Sequence, residues 1–113
     1  MLRAVIKYTD AQLYRARLTL HRAERWRENN PDAWNRMVAQ ALELAALKQP
    51  IAVQALLESV RKKAFVDRYG NDTRVSNGYR AIFARWLIAE YPETRPYIRL
   101  RNSVFDVLLE VAS

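Results

Sequence analysis

Apolar residues recur at intervals of three and four over most of this chain, which is the pattern of amphipathic α-helices. The first such segment follows Thr9, a suitable N-cap, and extends to about Glu28. The second begins where Asn30 provides a cap and Pro31 a first helical residue, and it ends before Pro50. A further amphipathic stretch follows Pro50. The pattern therefore predicts a series of core-packed helices through the first half of the chain.

A fourth predicted helix, with the sequence SNGYRAIFARWLIAE, has a different character. Ser76 or Asn77 can cap it, and only Arg80, Arg85 and Glu90 interrupt an otherwise apolar surface. Since a helix that is apolar on all sides is a buried one, its body is expected to be the hydrophobic centre of the fold. Its first turn is polar and basic, and a helix N-terminus offers free N–H groups to a phosphate. We expect the body of the fourth helix to have a structural role in the core and its N-terminal turn to be a contact site.

Three shorter segments complete the prediction. Residues 66–75 contain Gly-Asn-Asp turn chemistry and form either a small β-hairpin or a loop. After Pro92 ends the fourth helix, a short helix is expected over residues 97–100. Residues 104–110 form either a last helix or a strand. The predicted fold is all-α, a single domain spanning 1–113 and built as a bundle of four main helices with short C-terminal helices.

Composition narrows the classes of function. The chain has no Cys and a single His, so it offers no thiolate nucleophile and no Cys-based or His-rich metal site. With two glycines it has no phosphate-cradling loop, and the carboxylates Glu24 and Glu28 are neighbours on a helix surface rather than an acid–base pair. No apolar run approaches the roughly 20 residues that span a bilayer. We expect a cytoplasmic, non-enzymatic protein with no cofactor, no metal and no membrane partner.

Charge is the strongest functional signal. Nineteen Lys and Arg against twelve Asp and Glu give a net charge of +7, which favours DNA or RNA as a partner, or an acidic protein surface. The most basic window lies between Arg61 and Arg85, and a second basic cluster follows at Arg95, Arg99 and Arg101. The candidate nucleic-acid contacts are the basic residues of the first window with the polar cap of the fourth helix: Arg61, Lys62, Arg68, Arg74, Ser76, Asn77 and Arg80.

One side of the first helix offers a second kind of site. It combines the aromatic and apolar residues Tyr14, Leu18 and Trp26 with the guanidinium groups of Arg15 and Arg22. Arg15, Arg22 and Trp26 are therefore candidates for binding a protein partner, because Trp and Arg are typical anchors of interfaces. These residues could equally pack on a neighbouring helix while the arginine heads reach water. An exposed Trp26 would favour the protein partner, whereas a buried one leaves the choice open.

The C-terminal residues raise the question of assembly. Phe105, Leu108 and Leu109 are apolar and close to the end of the chain. They are expected to cover the core. If exposed, they would instead form a homodimer contact.

The segments PIAVQALLE, RVSNGYRAIFARWLIAEYPE and YIRLRNSVFDV resemble small helical proteins carried by bacteriophages and integrative elements, some of them helix-turn-helix-like. The resemblance covers roughly residues 50–107 and implies a bacterial or phage origin and a DNA-associated role. A simple helix-turn-helix joins its helices through three or four residues, whereas here the gap is about a dozen. That departure counts against the simple motif and leaves open a variant with an inserted hairpin.

Two functions remain after these steps. The first is an atypical, helix-turn-helix-like domain that binds nucleic acid. The second is a non-enzymatic interaction module, such as a phage-borne inhibitor or accessory subunit that binds an acidic surface of a host complex.

Overall fold

The computed structural model describes residues 8–109, and its architecture is all-α. Two 3₁₀ segments, Asn77–Tyr79 and Pro92–Tyr97, precede and follow the fourth helix. The predicted bundle of four main helices with a short C-terminal helix is confirmed, and its helices are α1 (Asp10–Asn29), α2 (Pro31–Ala46), α3 (Val53–Lys62), α4 (Arg80–Glu90) and α5 (Val104–Leu109).

The start of α1 follows from its sequence. The Thr9 hydroxyl accepts a hydrogen bond from the Gln12 amide at 3.1 Å, and the Thr9 amide donates to the Gln12 side chain at 2.8 Å, which completes a capping box.

The junction between α1 and α2 differs from the prediction in one respect. Pro31 does begin α2, but the Asn30 side chain does not cap it. Instead the Asn30 amide group donates to the Trp26 carbonyl at 2.8 Å and its oxygen accepts from the Thr73 hydroxyl at 2.8 Å. Asn30 is buried, so it joins the end of α1 to the segment before α4 rather than opening α2.

Helix α4 is the hydrophobic centre, as its apolar surface predicts. Phe83 is fully buried, and its ring packs against the rings of Trp26 at 5.2 Å, Trp34 at 5.3 Å and Trp86 at 5.6 Å between centroids. These pairs are tilted, edge-on and stacked respectively, and aromatic groups in such arrangements bury large apolar areas and fix their mutual geometry. The cluster joins α1, α2 and α4 into one core.

The ambiguous segment 66–75 is a tight turn with a single antiparallel bridge between Val66 and Asp72. The Asp67 carboxylate accepts from the amides of Tyr69 and Asn71, each at 2.9 Å, and Gly70 adopts a φ of 84° that favours glycine. Two backbone bonds also cross the turn, from the Asp67 amide to the Asn71 carbonyl at 2.7 Å and from the Thr73 amide to the Phe65 carbonyl at 3.0 Å, so the segment is a short hairpin-like turn without strands.

The C-terminal region corrects one prediction and settles an alternative. The short helix expected over residues 97–100 is absent, because a 3₁₀ segment already occupies Pro92–Tyr97 and the backbone of Ile98 is extended. Residues 104–109 form the helix α5 rather than a strand, and the Ser103 hydroxyl accepts from the Phe105 amide at 3.2 Å. The predicted end at Glu110 lies outside the described residues.

Phe105 is buried and Leu108 and Leu109 are half-buried, so this face covers the core as expected. Within residues 8–109, no helix combines the length and the hydrophobicity that crossing a bilayer requires.

We expect Asn30→Ala to lower the free energy of unfolding by about 2 kcal/mol, because the buried Trp26 carbonyl and Thr73 hydroxyl both lose a partner. Urea unfolding followed by circular dichroism measures this change. Asn35→Ala on the exposed face of α2 is the matched control and should leave stability unchanged or slightly higher, since alanine favours helix. Equal effects of the two substitutions would contradict the structural role of Asn30.

Candidate nucleic-acid interface

The two predicted contacts on either side of the 3₁₀ turn before α4, Arg74 and Arg80, line different cavities. Arg74 and Tyr79 line a cavity beside α1, whereas Arg80 lines a different cavity beside the C-terminal segment. The 3₁₀ turn Asn77–Tyr79 lies between them along the chain. The two basic residues that were expected to share the tip of α4 therefore face two separate sites.

Three of the predicted contacts have structural partners inside the fold. Arg61 donates to the Val75 carbonyl at 3.0 Å, to the side-chain oxygen of Asn77 at 2.5 Å and to Glu58 at 2.5 Å. The Ser76 hydroxyl accepts from the Gly78 amide at 3.0 Å. These bonds join α3 to residues 75–78, the segment that precedes α4. Arg61, Ser76 and Asn77 therefore have a structural role, which is to hold that segment in place.

Two further candidates are exposed but isolated. Lys62 ends α3, and its side chain makes no hydrogen bond or ion pair within the described part of the chain. Arg68 lies in the turn, where its guanidinium carbon is 5.4 Å from the ring centroid of Tyr69 and its amide donates to the Asn29 carbonyl at 2.7 Å. The structure brings neither of them into a cavity with Arg74 or Arg80. As nucleic-acid contacts both stay predictions.

Trp26 is not an exposed anchor. Its side chain is 8% exposed, it packs on Phe83, and its indole N–H donates to the Arg74 carbonyl at 2.5 Å. Since the exposure of Trp26 was the feature expected to distinguish a protein partner from nucleic acid, its burial leaves that choice open. Arg15 is exposed on α1, two turns before Arg22.

A cavity of about 430 Å³ beside α1, the α1 cavity, brings together residues that the sequence placed in two separate sites. Arg22 and Arg74 both line it, together with Arg25, which the sequence did not single out. Asp67 and Asp72 also belong to its wall. These carboxylates offset much of the arginine charge, so the α1 cavity is only weakly attractive to a polyanion.

The second cavity, the arginine cavity, has a volume of about 610 Å³ and lies where the starts of α3 and α4 meet residues 97–103. No Asp or Glu belongs to its lining. Two members of the C-terminal basic cluster therefore join the predicted contact Arg80 across the fold. Its basic residues are Arg80, Arg85, Arg99 and Arg101.

Arg85 builds one wall of this cavity. Its side chain is 3% exposed and bonds to the Asp106 carboxylate through Nε at 2.7 Å and Nη2 at 3.2 Å. It also donates to the carbonyls of Ala81 at 3.0 Å and Arg101 at 2.7 Å. A buried guanidinium is tolerated only when its donors are satisfied in this way. Arg85 thereby fixes the position of the chain at Arg101.

One feature of the sequence indicates the ion pair between Arg85 and Asp106. An arginine in a helix that is otherwise apolar, and one acidic residue in the apolar C-terminal segment, each require a partner if they are buried.

The carboxyl group of Asp106 has a pKa below its ordinary value of 3.8. Partial burial alone would raise this pKa, but the hydrogen bonds from Arg85 and from the Ser103 amide, together with the positive charge of Arg85, outweigh burial. Asp106 is thus held ionised as the counter-charge of Arg85.

Comparison of the chain with protein-family models, with curated proteins and with solved structures gives no match. Function is therefore inferred from the geometry and charge of the cavities.

We expect Asp106→Asn to lower the free energy of unfolding by about 2 to 3 kcal/mol, because it leaves the buried Arg85 cation without a counter-charge. Asp72→Asn removes an equal charge from an exposed position and should change stability by less than about 0.5 kcal/mol. Chemical denaturation of both variants near neutral pH measures the difference. If Asp106→Asn were as mild as Asp72→Asn, the ion pair would not hold the C-terminal segment.

The same pair predicts a pH dependence. Since the folded-state pKa of Asp106 is lowered, its contribution to stability is complete above the ordinary carboxyl value and is lost as pH falls through the folded pKa. The difference in unfolding free energy between wild type and Asp106→Asn should be constant above about pH 5 and shrink toward about pH 2. Taking this difference cancels the titration of the other carboxylates. A difference independent of pH over that range would refute the coupling.

Proposed function

We propose that this chain is a nucleic-acid-binding protein of a bacterium, phage or mobile element, that it acts in the cytoplasm, and that it holds phosphate groups in the arginine cavity. The observation that carries this proposal is a cavity lined by four arginines and by no carboxylate. Each phosphate that a protein neutralises releases condensed counterions, and this release is the main source of affinity for a nucleic-acid backbone.

The charges at the cavity are available to a ligand. Arg80, Arg99 and Arg101 are exposed, and their side chains make no hydrogen bond or ion pair within residues 8–109. Arg85 is already neutralised by Asp106. Three guanidinium groups therefore remain uncompensated at one concave site, and such groups form forked hydrogen bonds with phosphate oxygens.

The burial of most of its side chains limits how α4 can contact a nucleic acid. Ile82, Phe83, Leu87 and Ile88 are all buried, so the body of α4 is not free to enter a major groove. A helix-turn-helix-like mode is thus proposed only for the first turn of α4, where Arg80 reaches the cavity. Contacts with the sugar–phosphate backbone are the mode that this geometry favours.

A second candidate function rests on the outer face of α1. Tyr14 is 63% exposed and Leu18 is 38% exposed, one turn apart, and Arg15 and Arg22 flank them. An exposed aromatic group beside arginines suits an acidic protein surface.

A homodimer stays a prediction, but Phe105 is buried and Leu108 and Leu109 are half-buried, so the exposed apolar contact on which it was expected to depend is not present on α5.

We expect the triple variant Arg80→Gln, Arg99→Gln and Arg101→Gln to bind labelled DNA roughly 10- to 100-fold more weakly than wild type, because up to three phosphate contacts are lost. The slope of log affinity against log salt should also become smaller by about 2. Fluorescence anisotropy titrations at about 50 and 200 mM salt measure both quantities.

The matched control removes the same charge elsewhere through Arg17→Gln, Lys48→Gln and Lys63→Gln, which are exposed and line none of the cavities described above. It should retain most of the affinity and of the salt slope. Equal losses in the two triple variants would mean that only net charge matters and would reject the arginine cavity as the site. No DNA binding by wild type at low salt would leave the acidic-protein candidate.

A further inference from the structure

The wall of the arginine cavity is apolar beneath its basic rim. Tyr97, an aromatic residue, belongs to this wall and is half-buried. A phosphate group alone gains nothing from such a surface, so the composition of the wall indicates a ligand with an aromatic or apolar part beside its charge. Apolar residues of the lining include Ile51, Val53, Ala81, Ala84, Ile98 and Leu100.

Internal bonds hold the walls in place. The Ile51 amide donates to the Tyr97 carbonyl at 2.9 Å and joins the segment before α3 to the end of the second 3₁₀ segment. On the other side, Arg85 holds the Arg101 carbonyl, and the Ser103 amide donates to Asp106 at 3.0 Å. Fixed walls lower the ordering cost of binding.

A free amide group also lies at the rim. Asn102 lines the cavity and is exposed, and its side chain makes no hydrogen bond to the described residues. A carboxamide offers a donor and an acceptor together, which matches the edge of a nucleobase. The site thus combines guanidinium groups, an aromatic ring and an amide around one concave space.

We propose that the arginine cavity takes one unpaired base of a single-stranded nucleic acid, while Arg80, Arg99 and Arg101 hold the adjoining phosphates. This inference rests on the proposed function and specifies the form of its ligand. A base in a duplex is stacked and paired and must be extruded before it can enter a cavity, whereas a base in a single strand is available. Stacking on Tyr97 accepts any base, so sequence preference is weak.

Anisotropy titrations with the full chain compare a labelled single strand of mixed sequence with the duplex of the same length. We expect the single strand to bind at least about tenfold more tightly. Tyr97→Leu removes the ring but keeps an apolar wall, and it should weaken single-strand binding by about tenfold while leaving duplex binding unchanged. Tyr69→Leu is the control, because Tyr69 is 69% exposed and lies outside the cavity. Circular dichroism verifies that both variants are folded.

The outcomes separate the two proposals. Equal affinity for single strand and duplex would overturn the inference while the proposed function stands. Preference for the single strand with equal effects of Tyr97→Leu and Tyr69→Leu would also overturn it, because the base would then not occupy the cavity. Absence of binding to either form would remove both proposals.

Discussion

The buried guanidinium of Arg85 imposes the constraint on which the arginine cavity and the C-terminal segment around it depend. A cation that is 3% exposed must satisfy its donors internally, and Arg85 does so with one carboxylate, Asp106, and two carbonyls. Those acceptors belong to α4 itself and to the chain between residues 101 and 106. Burial of one side chain therefore determines where the C-terminal segment runs, and with it the shape of the arginine cavity.

Helix α4 connects the core to this cavity because one side of the helix packs in the core and the other side lines the cavity. Phe83 packs among the tryptophans of α1 and α2, whereas Arg80, Ala81, Ala84 and Arg85 line the cavity. Both sides are consequences of a helix that is apolar nearly all round: one side is filled by aromatic rings, and the other is covered only in part. The tip of α4 is thus a candidate contact site because Arg99 and Arg101 lie beside Arg80 in one cavity.

Sequence reasoning reached the number of main helices and the starts of α1 and α2 because these depend on local chemistry, whereas α3 begins at Val53 rather than directly at Pro50. The capping box at Thr9, the proline at the start of α2 and the apolar surface of α4 are encoded within a few residues. The misplaced features depend on partners far along the chain. Asn30 bonds with Thr73, and Trp26 bonds with the Arg74 carbonyl. Periodicity identifies the face that a residue occupies, but it does not identify the polar group that meets it across the fold.

The candidate site shows the same limit in its electrostatics. The excess of basic residues along the sequence predicts a polyanionic partner. The place on the surface that attracts this partner depends on which arginines the acidic residues neutralise. Glu58 pairs with Arg61, Glu90 with Arg27 and Asp106 with Arg85, so these arginines contribute little net field. Two more carboxylates lie in the wall of the α1 cavity. Arg80, Arg99 and Arg101 have no such partners within residues 8–109, and they come together where residues 97–103 approach the start of α4, which is a property of the fold.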